Sequence, residues 1–270
     1  SQGSLRMKRF RHLILASVVA IAAASASGLA GAQDYRPDFH PDQLKGPPVG
    51  APNTVLVLGT PHLAGLPETF DFALLAPLMD RLAAWAPTAI ATEDMSGLQC
   101  DSLRRYPQRY AETVETYCAD PTAAGAALGL DVPAANAEAE RLLAAWPSAP
   151  TAAQRRRLAG VFLAAGEPGS ALVQWLRLPV EERREGDGLT PELVVHLDRI
   201  KDRRNETDQI SAPLAARLGL ERLWSVDDHS ADTPEPTDRA AAEAAIMRAW
   251  DNPAARAQRA QDQQHEAGLA

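Results

Sequence analysis

The chain has 270 residues, of which 46% are hydrophobic and 23% charged, and a formal net charge of −8. That length and apolar content provide for a buried core and argue against a disordered chain. The acidic balance speaks against a nucleic-acid partner, because replacing phosphate counterions takes Lys and Arg, and leaves a small-molecule or peptide substrate as the expected ligand.

Residues Ser1 to Arg6 precede the first methionine, Met7. From there MKRFRH, LILASVVAIAAASAS and Ala30-Gly31-Ala32 read as the basic, apolar and small-residue parts of a signal peptide, cleaved after Ala32. The apolar part is short for a spanning helix. The expectation is a periplasmic or secreted protein with no stable membrane anchor after cleavage. Losing residues 1–32 removes four basic residues and no acid, which takes the formal charge from −8 to −12. Residues 33–53, rich in Pro, Gly and Asp, read as an extended linker.

Residues 54–232 carry the pattern of an α/β domain. TVLVL (54–58) is a β-branched apolar run of strand length stopped by Gly59. Residues 69–86 place Phe72, Leu75, Leu78, Met79, Leu82 and Trp85 at helical spacing, with Pro77 expected to bend the helix. PTAIATED follows as a second strand ending at Glu93. Strand, helix, strand is a βαβ unit, which makes the strands parallel.

The Ala- and Arg-rich middle, about 101–178, is helical, most clearly over AANAEAERLLAAW and TAAQRRRLAGVFLAA. Two placements stay open for it: a large insertion or cap over one end of the sheet, or core packing against one sheet face. Cys100 and Cys118 are the only cysteines, and in an oxidising compartment they are expected to form a disulfide.

A long helix follows, with Thr190 as its N-cap and Pro191 at its first position. Pro213 is expected to start a second helix, which stops at Gly219. ERLWSVDDHS reads as a third strand ending in Asp227, Asp228 and His229. Residues 233–270 read as one Ala-rich helix with a polar tail. The fold class expected is therefore α/β: a small parallel-type sheet built from βαβ units, with a large helical element.

The polar residues cluster at the expected strand ends. His62 follows the first strand, Glu93 closes the second and Asp227–His229 the third. In open parallel sheets ligands bind beyond the carboxyl ends of the strands, so one rigid edge is expected to present acids and imidazoles to solvent. Gly-rich phosphate loops, Gly-x-Ser-x-Gly elbows and His-Glu-x-x-His pairs do not occur, which disfavours nucleotide enzymes, common serine esterases and firmly anchored metal hydrolases.

VLVLGTPHL, PTAIATED and RRNETDQISAPLAARLGLERLWSVDD, in this order, resemble an uncharacterised bacterial family related to the TraB/Tiki and erythromycin-esterase-like (ChaN-like) group. That resemblance covers roughly residues 53–95 and 190–229. It implies a hydrolase acting on a peptide or ester bond, with His62, Glu93, Arg204, Asn205, Glu206 and Asp227 as catalytic residues and Gly59, Thr60, Gln209 and Asp228 binding substrate. A divalent metal held by His62, Glu93 and His229 is one form of that site; His62 as a metal-free base is another. The chain departs from the family pattern in lacking a C-terminal strand with a second Gly-His, so a truncated member or a non-catalytic periplasmic ligand-binding protein is the alternative expectation.

Overall fold

The computed structural model describes residues 53–267; the segment read as a signal peptide, and all but the last residue of the segment read as a linker, lie outside them. The described residues fall into two units divided between Val57 and Leu58. Residues 53–57 have no regular structure, and Val55 and Val57 are 78% and 87% exposed. The strand expected over 54–58 is therefore not formed. β-branched residues favour extended backbone, but a strand exists only where a neighbour takes its N–H and C=O groups.

The second unit begins with a 3-10 turn, Leu63–Gly65, and another at Phe72–Leu75 that is capped by Asp71. Helix α1 (Ala76–Trp85) follows. Pro77 sits in the first turn of α1 and starts the helix instead of bending it, since a first-turn N–H has no intrahelical partner to lose. Strand β1 (Ala91–Met95) leads through Ser96, an N-cap, into α2 (Gly97–Arg104). Then come α3 (Pro107–Tyr117), α4 (Thr122–Leu128), α5 (Val132–Ala144), α6 (Ala152–Ala164) and α7 (Pro168–Leu176). Helix α8 (Pro191–Lys201) is capped by Thr190, whose side chain accepts from the Leu193 amide. A π-helical segment, Thr207–Ser211, runs into α9 (Ala212–Leu218), which stops at Gly219 in the left-handed region. Strand β2 (Trp224–Asp227), α10 (Arg239–Trp250) and α11 (Pro253–Ala267) complete the order. The single C-terminal helix expected from sequence is two helices, parted at Pro253, which cannot continue the ladder of α10.

The described residues are mostly helical, with one two-stranded parallel sheet in which β1 pairs with β2. The parallel relation expected between the first and second strands is thus found between the second and third. Ala91 lies opposite Trp224, Thr92 opposite Ser225 and Met95 opposite Asp227. Three residue steps on β1 face two on β2, so Glu93 and Asp94 form a bulge.

The main core is the helical middle of the chain. Helix α6 is buried all round from Leu158 to Ala164, and α7 is buried from Ser170 to Trp175. Core packing, and not a cap, is therefore the role of α6 and α7. A capping box of Thr151 and Gln154 starts α6, and its two buried arginines are both matched. Arg155 donates to Gln174 and Glu221, and Arg156 to Glu182 and Asp187. Buried charge is tolerable only when paired in this way. The Trp175 indole donates to Asp198 Oδ1 at 3.0 Å, tying α7 to α8. A second, smaller core gathers Leu63 and Leu82 with Ile210 and Leu214, so α1 rests on the π-helical segment and α9.

Where β1 turns into α2 the chain crosses the α6–α7 turn at van der Waals distance. A Cβ on Gly97 would lie 1.7 Å from the Ala165 carbonyl oxygen. Glu167 secures the crossing. Its carboxylate accepts from the Gly97 amide at 3.0 Å and from Ser225 Oγ at 2.8 Å, joining α2 and β2 through one buried side chain.

Cys100 and Cys118 are bonded, with Cα atoms 5.6 Å apart and a separation of 18 residues. The bond fastens the far end of α3 to α2. Reducing it is expected to destabilise the protein by about 3 kcal/mol in the chain-entropy picture, to be read as a lower urea midpoint with dithiothreitol present. No helix among the described residues is long and apolar enough to cross a membrane.

Candidate functional site

The break between α8 and the π-helical segment, residues 202–206, is the hub of the site. Its shape follows from local chemistry. Gln209 Nε2 donates to the Lys201 and Arg203 carbonyls left open by the end of α8. Asn205 Oδ1 accepts from the Asp208 amide, as an N-cap does. Asp208 is buried, and Arg203 Nε donates to it at 2.7 Å. Burial pushes the Asp208 carboxyl up, Arg203 works against this, and Asp94 adds to it. The segment widens to π geometry just before Pro213, whose ring would strike the carbonyl four residues back in a regular α-helix. The interruption expected at Pro213 therefore falls earlier, and Pro213 lies inside the first turn of α9.

Glu206 reaches from this hub to the loop that carries the Gly-Thr-x-His motif. Its Oε1 accepts from Thr60 Oγ1 at 2.6 Å and from the Leu63 amide at 2.9 Å. His62 Nδ1 stands 3.9 Å from the same oxygen. Partial burial opposes ionisation of Glu206, but the Thr60 and Leu63 donors outweigh it, His62 assists, and the carboxyl is held below its ordinary range. His62 has φ 56°, a left-handed conformation that a non-glycine residue adopts at a cost, and its side chain is 80% exposed. Arg204 donates to the carbonyls of Leu66 and Pro67 and lies over the Phe72 ring at 4.9 Å. It thereby pins the far side of the same loop. Gly59 needs no special backbone: a Cβ there would meet nothing within 4 Å.

The hub also touches β1. Thr207 Oγ1 donates to Asp94 Oδ2 at 2.6 Å. Because of the bulge, Asp94 turns toward the hub while Glu93 stays on the exposed face of the strand. Asp94 and Thr92 line a cavity of about 30 Å³, room for one water, and Thr92 Oγ1 has no hydrogen-bond partner among the described residues. Glu167, close enough for Asp94 to raise its pKa, is pushed up chiefly by its own burial.

Asp227, Asp228 and His229 are engaged elsewhere, against α2 and α3. His229 Nε2 faces Asp227 Oδ2 at 2.8 Å and its Nδ1 faces Asp232 Oδ2 at 3.0 Å. The ring stacks on Tyr117, with centroids 4.1 Å apart. Asp228 accepts from Gln99 Nε2, and Asp232 also accepts from Thr113 Oγ1. A carboxylate at each nitrogen favours the protonated form of the ring. Partial burial opposes its charge, but the bonds to Asp232 and Asp227 outweigh this and hold His229 above its ordinary value. Thr113 and His229 hold Asp232 below its own.

His229 contributes stability that is full below about pH 6.5 and lost as pH rises through its raised folded value; Asp232 contributes above the carboxylate range and loses its share as pH falls. The melting-temperature gap between wild type and His229→Gln is therefore expected to be widest from about pH 4 to 6.5 and to shrink at higher pH. Thermal melts across that range check it.

Of the expected site residues, the fold brings together Thr60, His62 and Glu206, with Arg204, Asn205 and Gln209 shaping the loops around them. Glu93, Asp227, Asp228 and His229 do not join that group. Among the described residues no three His, Cys, Asp or Glu side chains are arranged to hold a metal ion. Thr207 and Glu167 enter the site without having been singled out. Asp94 follows Glu93 in sequence, and only the bulge decides which of the two turns inward. Compared with protein-family models, with curated proteins and with solved structures, the chain matches none.

Proposed function

We propose that the chain is an exported hydrolase of the TraB/Tiki or erythromycin-esterase-like type, acting on a peptide or ester bond, with His62 as general base and Glu206 as its orienting carboxylate. One observation carries this reading. The Gly-Thr-x-His motif and the Arg-Asn-Glu motif, separated by 146 residues between Thr60 and Glu206, meet through a hydrogen bond. Together they present His62 to solvent on a pinned loop.

In this reading Nδ1 faces Glu206, which leaves Nε2 for a water molecule. The neutral ring takes a proton as the water oxygen attacks the substrate carbonyl, and Glu206 stabilises the imidazolium formed. The tetrahedral intermediate then collapses. The carbonyl carbon's bond to the leaving oxygen or nitrogen breaks, and the proton passes from His62 to that leaving atom. The step uses water alone as co-reactant, and no part of it runs through a metal.

A non-catalytic ligand-binding role is supported by a different observation: Arg204, Asn205, Glu206 and Gln209 all spend their polar groups on contacts within the chain. Turnover over a panel of aryl esters and short peptides, by the wild type and by His62→Ala, separates the two readings.

A further inference from the structure

A larger cavity lies away from the Glu206 hub, between the end of α5 and the start of α6. Its volume is about 450 Å³, within the range of about 300–1,000 Å³ typical of small-molecule sites. The apolar wall is Leu142, Ala145, Trp146 and Pro147, and two guanidinium groups, Arg141 and Arg157, stand at its edge.

The two arginines are not equally engaged. Glu138 is engaged by both arginines: Arg141 takes both of its oxygens, at 2.7 and 2.9 Å, and Arg157 comes within 3.8 Å of one of them. Asp187, the carboxylate in the cavity wall, is already bonded to Arg156 at 2.7 Å. Arg156 is itself shared between Asp187 and Glu182, and Arg157 has no carboxylate closer than Glu138 at 3.8 Å among the described residues. In addition, Trp146 Nε1 is buried and has no acceptor among the described residues. Water cannot reach that nitrogen, so Trp146 offers the cavity ring carbon and no hydrogen bond. A loosely paired guanidinium beside an apolar wall calls for one flat apolar body with one anionic acceptor.

We propose that this cavity binds a small aromatic carboxylate, its ring against Trp146 and Leu142 and its carboxylate on Arg157. A carboxylate fits the guanidinium fork in two-point geometry. Tryptophan, leucine and proline offer an aromatic ring the flat apolar contact that such pockets use. The proposal is independent of the His62 reading, because no residue is shared between the two sites.

Calorimetric titration of the purified protein with naphthalene-2-carboxylate, beside the neutral naphthalene-2-carboxamide, tests it. The expected result is a Kd below about 1 mM for the acid and at least about tenfold weaker binding of the amide. Arg157→Gln, a change at a half-buried side chain, is expected to weaken the acid about tenfold and leave the amide unchanged. Binding is also expected to change tryptophan emission in the wild type and not in a Trp146→Phe variant of unchanged circular dichroism. No heat at millimolar probe, equal affinity for acid and amide, wild-type affinity in Arg157→Gln, or the same emission change in Trp146→Phe would each overturn the assignment.

Discussion

Gly97→Ala is expected to cost the fold about 3 kcal/mol or more, the upper range of overpacking in a close-packed interior, and to leave little protein with a cooperative melt. The added methyl would sit 1.7 Å from the Ala165 carbonyl oxygen and 2.9 Å from the Gly166 Cα, so the obstacle is backbone and not the free end of a side chain. Moving the backbone away would break the Gly97 amide bond to Glu167, and that carboxylate would keep only its bond from Ser225. A buried acid with an unmet acceptor adds a further penalty of about 1–3 kcal/mol. Gly59→Ala is the matched control, with open space around the new methyl. The comparison is read from urea midpoints of the two variants. Equal midpoints would show that the crossing of α2 over the α6–α7 turn is looser than its distances imply.

His62→Ala is expected to lower hydrolytic turnover by about 10²- to 10⁴-fold, the ordinary worth of a positioned general base, with little effect on stability because the side chain lies in solvent. The partner variant Glu206→Gln keeps an acceptor oxygen for Thr60 and the Leu63 amide and removes the charge that faces the ring. It is expected to lower turnover by less, about tenfold, the worth of a single oriented charge interaction of about 1.4 kcal/mol. Thr60→Val removes a hydroxyl donor and tests whether the loop, and not the charge, sets the rate. Turnover unchanged in His62→Ala would remove the base from the reaction. Absence of turnover in the wild type, with a ligand still held, would favour the binding role.

The sequence made the hinge residues legible for a physical reason. Thr190-Pro191 and Gly219 are local signals: a cap, a fixed φ and a left-handed stop act within one turn of backbone, so pattern alone places them. The disulfide was readable from cysteine count and spacing. The run at 54–58 misled because strand propensity describes a residue's fit to a ladder, and the ladder is a tertiary fact. Trp85 shares the apolar stripe of α1 with Leu82, yet it is the last residue of the helix and is 40% exposed where Leu82 is buried, because helical spacing fixes a face and not how far along it the packing partners extend. At the candidate site, sequence order suggested that the His62 and Glu206 segments belong together. It did not show that Asp227 and His229 turn toward Tyr117 and Thr113, since a carboxylate–imidazole clamp and a catalytic pair are built from the same residues.

The bulge in β1 bears on how this segment can vary. In a regular strand Thr92 and Met95 would point to opposite faces, yet both are buried, because the extra residue between them restores Met95 to the inner side. The in-frame loss of a single codon between Thr92 and Met95 would leave two steps on β1 facing the two from Ser225 to Asp227, so the ladder would close with Thr92 and Met95 still on one face. What such a loss removes is the residue that the bulge turns aside, and with it the carboxylate of Asp94 that accepts from Thr207. A lineage carrying this fold can shed the extra residue and keep its sheet, but it then loses the tie between sheet and hub.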